Sequence, residues 1–234
     1  MNRQAINTDK QSNNWVQNIL SDRKRTLDAV TAIAAIIFVI ILSIAVPNFL
    51  TINNIVNVLE QLTTIGMLCL GMTFILIIGG IDLSMPAVLM AATIPGAMFM
   101  SKTGNVFVGI IIIFGVGIIF GMINGVAIAK AKMIPFIVTL STQIIANGFA
   151  VMITNSKSVF GLPDIFLFLG IKVGIVPISI PIFFVIAIIS HIILSKTKYG
   201  RIFYMIGQNE KTARVSGIRT DLYVFCTYVI ASIY

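Results

Sequence analysis

The chain has 234 residues, of which 58% are hydrophobic and 10% charged, with a net charge of +8. A soluble domain of this length could bury a good core, but it has no use for successive apolar runs of about 20 residues. The composition therefore excludes a soluble globular protein and points to a polytopic, all-α bundle of transmembrane helices, and the lack of any separate basic module excludes nucleic acid as a partner.

Residues 1–26, which include an Asn-, Gln- and Ser-rich stretch, are expected to be a cytoplasmic tail, with Trp15 able to rest at the interface, and residues 27–234 the membrane domain. The first apolar run, Leu27–Val46, has twenty residues, about 30 Å as a helix, and ends at Pro47. Its basic flank and Ser43-Ile44-Ala45 also resemble a secretory signal with a cleavage site. The run is longer than a signal core and more spans follow, which favours an uncleaved first span. Cys69 and Cys226 both lie in apolar segments and read as small buried hydrophobes, with no disulfide framework or metal site implied.

Leu62–Ile78 and Met85–Met100 are each short for independent spans, and between them stands Gly79-Gly80-Ile81-Asp82-Leu83-Ser84. At the centre of a bilayer an aspartate costs roughly 2.5–3.5 kcal/mol on insertion scales, so Asp82 should face protein, water or a helix end. The paired glycines relax the backbone, and Ser84 can cap a new helix with Pro86 in its first turn, so the stretch reads as a helix that stops and restarts. Interrupted helices of this kind mark solute sites in transporters, which makes Gly79, Gly80, Asp82 and Ser84 candidates for the pathway. An ordinary short loop between two spans accounts for the same six residues.

Val106–Ala129 is long enough to span with tilt, and Gly117, Gly121 and Gly125 recur in it at four-residue spacing, a helix face that lets another helix approach closely. Asn124, beside Gly125, suits an interhelical hydrogen bond better than solute contact. In the next run, Ile134–Ile153, Gln143 and Asn147 share one polar face that fits either a helix contact or a lining of the pathway. Ile175–Leu194 carries His191, the only histidine, at its end, where an interface residue is the better reading than an acid-base group.

Residues 195–221 form the second polar segment. Within it Asn209 is a suitable N-cap, Glu210 complements the positive start of a short helix, Arg214 lies toward its negative end, and Gly217 fits the left-handed position after it. A two-turn helix is not stable alone, so the membrane domain or a partner must hold it; a mere connector is the plainer alternative. The last run, from Leu222, has thirteen residues at Tyr234, too short to cross a bilayer, and the chain is expected to be a fragment.

Basic residues flanking the spans set the orientation. With the amino terminus inside, the cytoplasm receives Arg3, Lys10, Arg23, Lys24, Arg25, Lys130, Lys132, Lys196, Lys198, Arg201, Lys211, Arg214 and Arg219. The opposite side receives only Lys102, Lys157 and Lys172 of the 16. Simple alternation puts the Asp82 break on the inner side, and a midplane break fits the counts equally well.

No zinc-protease helix, nucleophile elbow, Cys and His cluster or phosphate-binding loop is present, so ATP, if used, binds another chain. Phe49-Leu50-Thr51, Asn54, Asn57, Gln61, Gly66, Gly71-Met72-Thr73, Gly79 to Ser84, Asn124-Gly125, Lys130, Pro135 to Leu140 and Gly207 to Ile218 together resemble, in order and spacing, the permease subunits of ribose-type ABC sugar importers. The resemblance runs from about Phe49 to the end of the chain. Pro86 stands where that family commonly has glycine, Ile134 replaces a frequent proline and Asn147 a frequent arginine, so the solute stays open.

The resemblance implies a bacterial inner-membrane permease that moves a monosaccharide inward and performs no covalent chemistry. It implies two permeases meeting two ATP-binding subunits, which carry ATP and magnesium, and an external sugar-binding protein. It also implies that Asn209, Glu210, Ala213, Arg214, Ser216 and Gly217 belong to a cytoplasmic coupling segment. Nucleosides or branched-chain amino acids are the nearest alternative solutes, and an intramembrane enzyme using Asp82 and Ser84 is the alternative from another class.

Overall fold

A computed structural model describes residues 26–167 and 172–234. Of the tail expected over residues 1–26, residues 1–25, with Trp15, lie outside them. The described residues fall into two compact units, with the boundary in sequence between Ile55 and Val56. In the first, α1 (Thr26–Ala45) is a twenty-residue apolar helix with none of its span window buried. The turn after it is tied by Asn54, whose side-chain amide donates to the Phe49 carbonyl at 2.7 Å.

The helices that follow are α2 (Ile52–Ile77, which begins in the first unit), α3 (Met85–Thr103), α4 (Val106–Gly125, continued by a π turn over Val126–Lys130) and α5 (Pro135–Thr154). Then come a single turn α6 (Asp164–Leu167), a two-residue hairpin of β1 (Lys172–Val173) and β2 (Val176–Pro177), and α7 (Ser179–Lys196). The chain continues through α8 (Lys198–Gln208), α9 (Glu210–Val215) and α10 (Thr220–Ala231). Among the described residues five helices are long and apolar enough to cross a membrane: α1, α2, α4 with its π turn, α5 and α7.

The helix stops and restarts at Gly79–Ser84 as expected, but both sides are longer than their apolar runs. α2 has 26 residues, about 39 Å, and α3 has 19, about 28 Å. Backbone hydrogen bonding carries α2 back through Asn57, Glu60 and Gln61, polar side chains that end an apolar run but not a helix. The break therefore joins two long helices, of which α2 but not α3 is among those apolar enough to cross a membrane.

α3 packs between α4 and α5. Its inner face is built of small residues, Ala87, Ala91, Ala92 and Gly96, all buried. Gly96 and Gly109 let the backbones of α3 and α4 touch: a Cβ on Gly96 would lie 2.7 Å from the Gly109 carbonyl oxygen. A helix enclosed in this way can carry less apolar surface than one facing lipid. Only 22–28% of the span windows of α2, α4 and α5 is buried, and 6% of that of α7. So much exposed apolar surface is tolerable only against lipid or further protein.

The glycine stripe of α4 receives α10, which packs along it. Added Cβ atoms would lie 2.8 Å from the Ser232 carbonyl oxygen at Gly117, 2.9 Å from that of Tyr228 at Gly121, and 3.0 Å from that of Phe225 at Gly125. Gly121→Ala is expected to destabilise the purified protein by about 1–3 kcal/mol through forced separation of these backbones. Gly115→Ala on the same helix, where a Cβ meets nothing within 4 Å, should be neutral or stabilising. Melting in detergent checks both, and equal midpoints would remove the close approach as a source of stability. Cys226 is half-buried, but Cys69 is exposed on α2, contrary to its reading as a buried hydrophobe. An apolar run does not say which of its faces is covered. His191 is exposed on α7.

Candidate functional site

The turn between α2 and α3 is built by two local motifs. α2 closes with Gly79 at φ +82°, the Gly79 amide donating to the Leu76 carbonyl at 3.0 Å and the Gly80 amide to that of Ile75 at 2.9 Å. This paired arrangement satisfies the last carbonyls of a helix and needs a residue that tolerates a left-handed conformation. Asp82 then folds over the start of α3: its Oδ1 accepts from the Ser84 amide at 2.7 Å and from the Ser84 hydroxyl at 2.6 Å.

Ser84 stands at the N-cap position with Pro86 in the first turn, as expected, yet its hydroxyl does not cap α3. Its backbone is already helical, φ −80° and ψ −17°, whereas a capping side chain is presented from an extended one. The hydroxyl instead links Asp82 to α4, accepting from Asn124 Nδ2 at 3.0 Å. Asn124 Oδ1 in turn accepts from the Thr142 hydroxyl of α5 at 2.6 Å. Asp82, Ser84, Asn124 and Thr142 are 8%, 1%, 2% and 5% exposed, so this polar chain runs through the protein interior and joins the turn to two helices. Such a chain specifies one packing of those helices because every member left without its partner is costly. A cavity of about 70 Å³ lies beside it, lined by Asp82, Ser84, Asn124, Leu68, Val88 and Phe114 among others.

Asn124 therefore makes the interhelical bond expected of it. Gln143 is half-buried beside Thr142 and outside this chain of bonds, and Asn147 is exposed. Thr142 is not legible as a partner in the sequence, because a threonine in an apolar run is an ordinary helix residue. Its one signal is its place on the same face as Thr139, Ala146 and Ala150, which the structure buries.

The polar segment carries two helices, the short one expected in its second half, α9, and α8 before it. α8 is amphipathic, and its buried Gly200, Phe203 and Ile206 dock it on the bundle, with the Phe203 ring edge-on to Phe74 (centroids 6.1 Å apart) and Tyr223 (6.2 Å). At Gly207 the α8 backbone lies against the Ile77 carbonyl, leaving no room for a side chain. α9 has the caps read from its sequence. Asn209 Oδ1 accepts from the Thr212 amide at 3.0 Å, and Ser216 donates its hydroxyl to the Thr212 carbonyl at 3.0 Å. Gly217, at φ +83°, closes the helix: its amide donates to the Arg214 carbonyl at 3.0 Å and the Ile218 amide to that of Ala213 at 3.2 Å. Ala213 is the buried residue of α9, while Val215 is 90% exposed.

Glu210 and Arg214 do more than oppose the helix dipole. Arg214 Nη2 lies 2.9 Å from Glu210 Oε1 and 2.6 Å from Asp221 Oδ1, and Lys132 Nζ lies 2.6 Å from Asp221 Oδ1 and 3.3 Å from Glu210 Oε1. The buried residue Thr220 adds a hydroxyl donor to Glu210 at 3.2 Å. Lys132, Thr220 and Asp221 are absent from the sequence-derived site, since Lys132 reads only as a topology marker. The break, this charge cluster and the foot of α10 border one depression containing Gly79, Gly80, Lys132, Glu210 and Tyr228, so Gly79–Gly80 lies at the end of the bundle that carries α9. At the other end the Ser101 hydroxyl donates to the Phe160 carbonyl.

The hydrogen bond from Lys132 holds the Asp221 carboxyl below its ordinary 3.8. At Glu210 burial alone would raise the carboxyl, but bonds from Arg214 and Lys132 outweigh it and leave it below 4.5. Asp221 raises Lys132 above 10.5. The carboxylates' contribution is complete above their ordinary values and lost as pH falls through the depressed ones; the lysine's is complete below 10.5 and lost as pH rises through its raised value. Amide-exchange protection across residues 212–218 should thus be flat between about pH 5 and 10 once intrinsic rates are removed, and fall in stronger acid. A step near neutral pH would mean that another group holds α9.

Residues 54–234 match the sequence model of a family described as branched-chain amino acid transport system, permease component. The ribose import permease protein RbsC of Bacillus subtilis is 36% identical over 206 residues, covering 84% of this chain and 62% of its own. That of Haemophilus influenzae is 34% identical over 194 residues, covering 81% and 60%. The L-arabinose transport system permease protein AraH of Escherichia coli is 33% identical over 188 residues, covering 78% and 57%. The chain thus spans about three fifths of the length of these relatives, and no solved structure matches it. With its match running from the start of α2 through the polar chain and α9 to Tyr234, the chain belongs to the family of branched-chain amino acid transport system permease components.

Proposed function

We propose that the chain is the permease subunit of an ATP-binding-cassette importer carrying a monosaccharide, a ribose-like pentose or a related sugar, into the bacterial cytoplasm. The observation that carries this reading is its likeness, along four fifths of its length, to permeases named for ribose, D-allose and L-arabinose. The exposed apolar faces of its spans agree with a multi-pass inner-membrane protein. Hydrolysis of ATP with magnesium falls to a separate ATP-binding subunit, a second permease completes the pathway, and an extracytoplasmic binding protein delivers the sugar.

Movement follows alternating access. Closure of the ATP-binding subunits displaces α9, and the helices around Gly79–Ser84, Asn124 and Thr142 change their packing. The sugar shifts this equilibrium only by binding the two packings differently. Asp82 holds the start of α3 against α4, and the cavity beside it is the nearest candidate for the route. The family's description favours one second reading, transport of branched-chain amino acids.

The test is uptake of labelled ribose, allose, arabinose, leucine and a nucleoside by the full-length permease, expressed with its ATP-binding and binding-protein genes in a host lacking such systems. Uptake of a sugar that collapses without ATP is expected; uptake of leucine or the nucleoside with no sugar entry would replace the substrate class. Orientation is checked in the same cells. Cysteines at Lys102 and Lys172 should react with an impermeant reagent and those at Lys132 and Arg201 should not, as the thirteen-to-three basic bias requires. The reverse pattern would invert the assignment.

A further inference from the structure

We propose that Lys132 is a positioning residue for energy coupling: it locks α9 to the turn between α4 and α5, so that displacement of α9 is delivered to the buried polar chain. The inference rests on the reading of α8–α9 as the segment that meets the ATP-binding subunit.

Three features of the structure carry it. The first is the charge ring, in which Lys132 bonds to residues 78 and 89 positions later, Glu210 and Asp221, while Arg214 bonds to the same two oxygens from within α9. Two cations and two anions from three stretches of chain alternate around one point. Their side chains are 44–51% exposed, so the pairs can part and re-form as α9 moves.

The second is the construction of the turn that presents Lys132. α4 ends in the π turn Val126–Lys130, the Ala131 amide donating to the Val126 carbonyl at 3.1 Å and the Met133 amide to that of Ala127 at 3.1 Å. Lys132 itself is left-handed at φ +54°. A lysine holds that conformation at a cost, and only where its surroundings impose it; π turns inside helices likewise concentrate at functional positions. Here the unusual backbone aims the ammonium group at α9.

The third is where the turn leads. Asn124 lies one residue before the last residue of α4 and two before the π turn, and Thr142 lies two helical turns beyond Pro135 on the other side. Both members of the Asn124–Thr142 hydrogen bond thus hang from the turn that Lys132 fastens. A pull on α9 reaches that bond through one side chain and a short, hydrogen-bonded stretch of backbone.

The experiment uses the full-length permease reconstituted in proteoliposomes with its ATP-binding subunit, binding protein and sugar. Lys132→Met keeps length and removes charge, and Lys132→Arg keeps charge. Lys132→Met should leave capture of the ATP-binding subunit and basal hydrolysis within about twofold, yet lower sugar moved per ATP at least about fivefold. Lys132→Arg should keep most of the coupling. In the isolated permease, amide exchange across 212–218 should speed up in Lys132→Met and not in Lys132→Arg.

Wild-type coupling in Lys132→Met overturns the proposal. So does loss of subunit capture, which would make Lys132 a docking residue, or an arginine variant as poor as methionine in both assays, which would make it a folding residue. Failure of the wild-type permease to capture any ATP-binding subunit counts against the functional reading instead. Unchanged exchange in Lys132→Met would then still overturn the lock.

Discussion

Asn124→Leu is expected to be among the most disruptive single substitutions in the chain. It removes both the donor to Ser84 and the acceptor for Thr142 at a position 2% exposed, in a side chain of similar volume. Each buried group left without its partner costs about 1–3 kcal/mol, and more is at stake at Ser84 because its hydroxyl also serves the Asp82 carboxylate. Thr142→Val breaks only the outer link and should cost about 1–3 kcal/mol. The double variant should cost clearly less than the sum, since both changes remove the same bond. Asp82→Asn retains an oxygen that can accept from Ser84, so it should insert and fold almost normally while reducing uptake. Thermal midpoints of the detergent-solubilised protein, set beside uptake in cells, separate these cases. A melting curve for Asn124→Leu that overlays wild type would show that the polar chain does not hold α3, α4 and α5 together. Wild-type uptake by Asp82→Asn would remove the carboxylate charge from transport.

Gly217→Val and Glu210→Lys should abolish coupling while leaving the spans inserted. Valine at φ +83° forces a β-branched side chain into the left-handed region, where even an unbranched residue pays about 1–2 kcal/mol. The two closing bonds, from the Gly217 and Ile218 amides, are then lost together, and a six-residue helix has nothing in reserve. Glu210→Lys puts a third positive charge beside Lys132 and Arg214 with Asp221 the one anion left to them, and it opposes the helix dipole by about 0.3–1 kcal/mol besides. Both variants should lose capture of the ATP-binding subunit in detergent and sugar-stimulated hydrolysis in proteoliposomes. Normal values in both would make residues 209–217 a connector.

The residues alone determined the membrane class, most span centres, the caps of α9 and the use of the α4 glycine stripe. These are properties of short range: an apolar run long enough to cross a bilayer, an Asn before a helix, a glycine where the chain turns left-handed, small residues recurring every fourth position. What covers the stripe, namely α10, was decided only in three dimensions. So were the choice of Thr142 over Gln143 as the partner of Asn124, the diversion of the Ser84 hydroxyl from capping to Asp82, and the joining of Lys132 to Glu210 and Asp221. Neighbouring positions on a helix point about 100° apart, and which of them meets a partner depends on how that helix is rotated and tilted against the next. α2 starts at Ile52, well before its apolar run at Leu62, for a related reason: hydropathy reports where a helix can face lipid, while backbone hydrogen bonding and packing decide how far it runs. Charges add a further step, because attraction between side chains 78 or 89 residues apart leaves no period or spacing in the chain and exists only once the fold has brought them within reach.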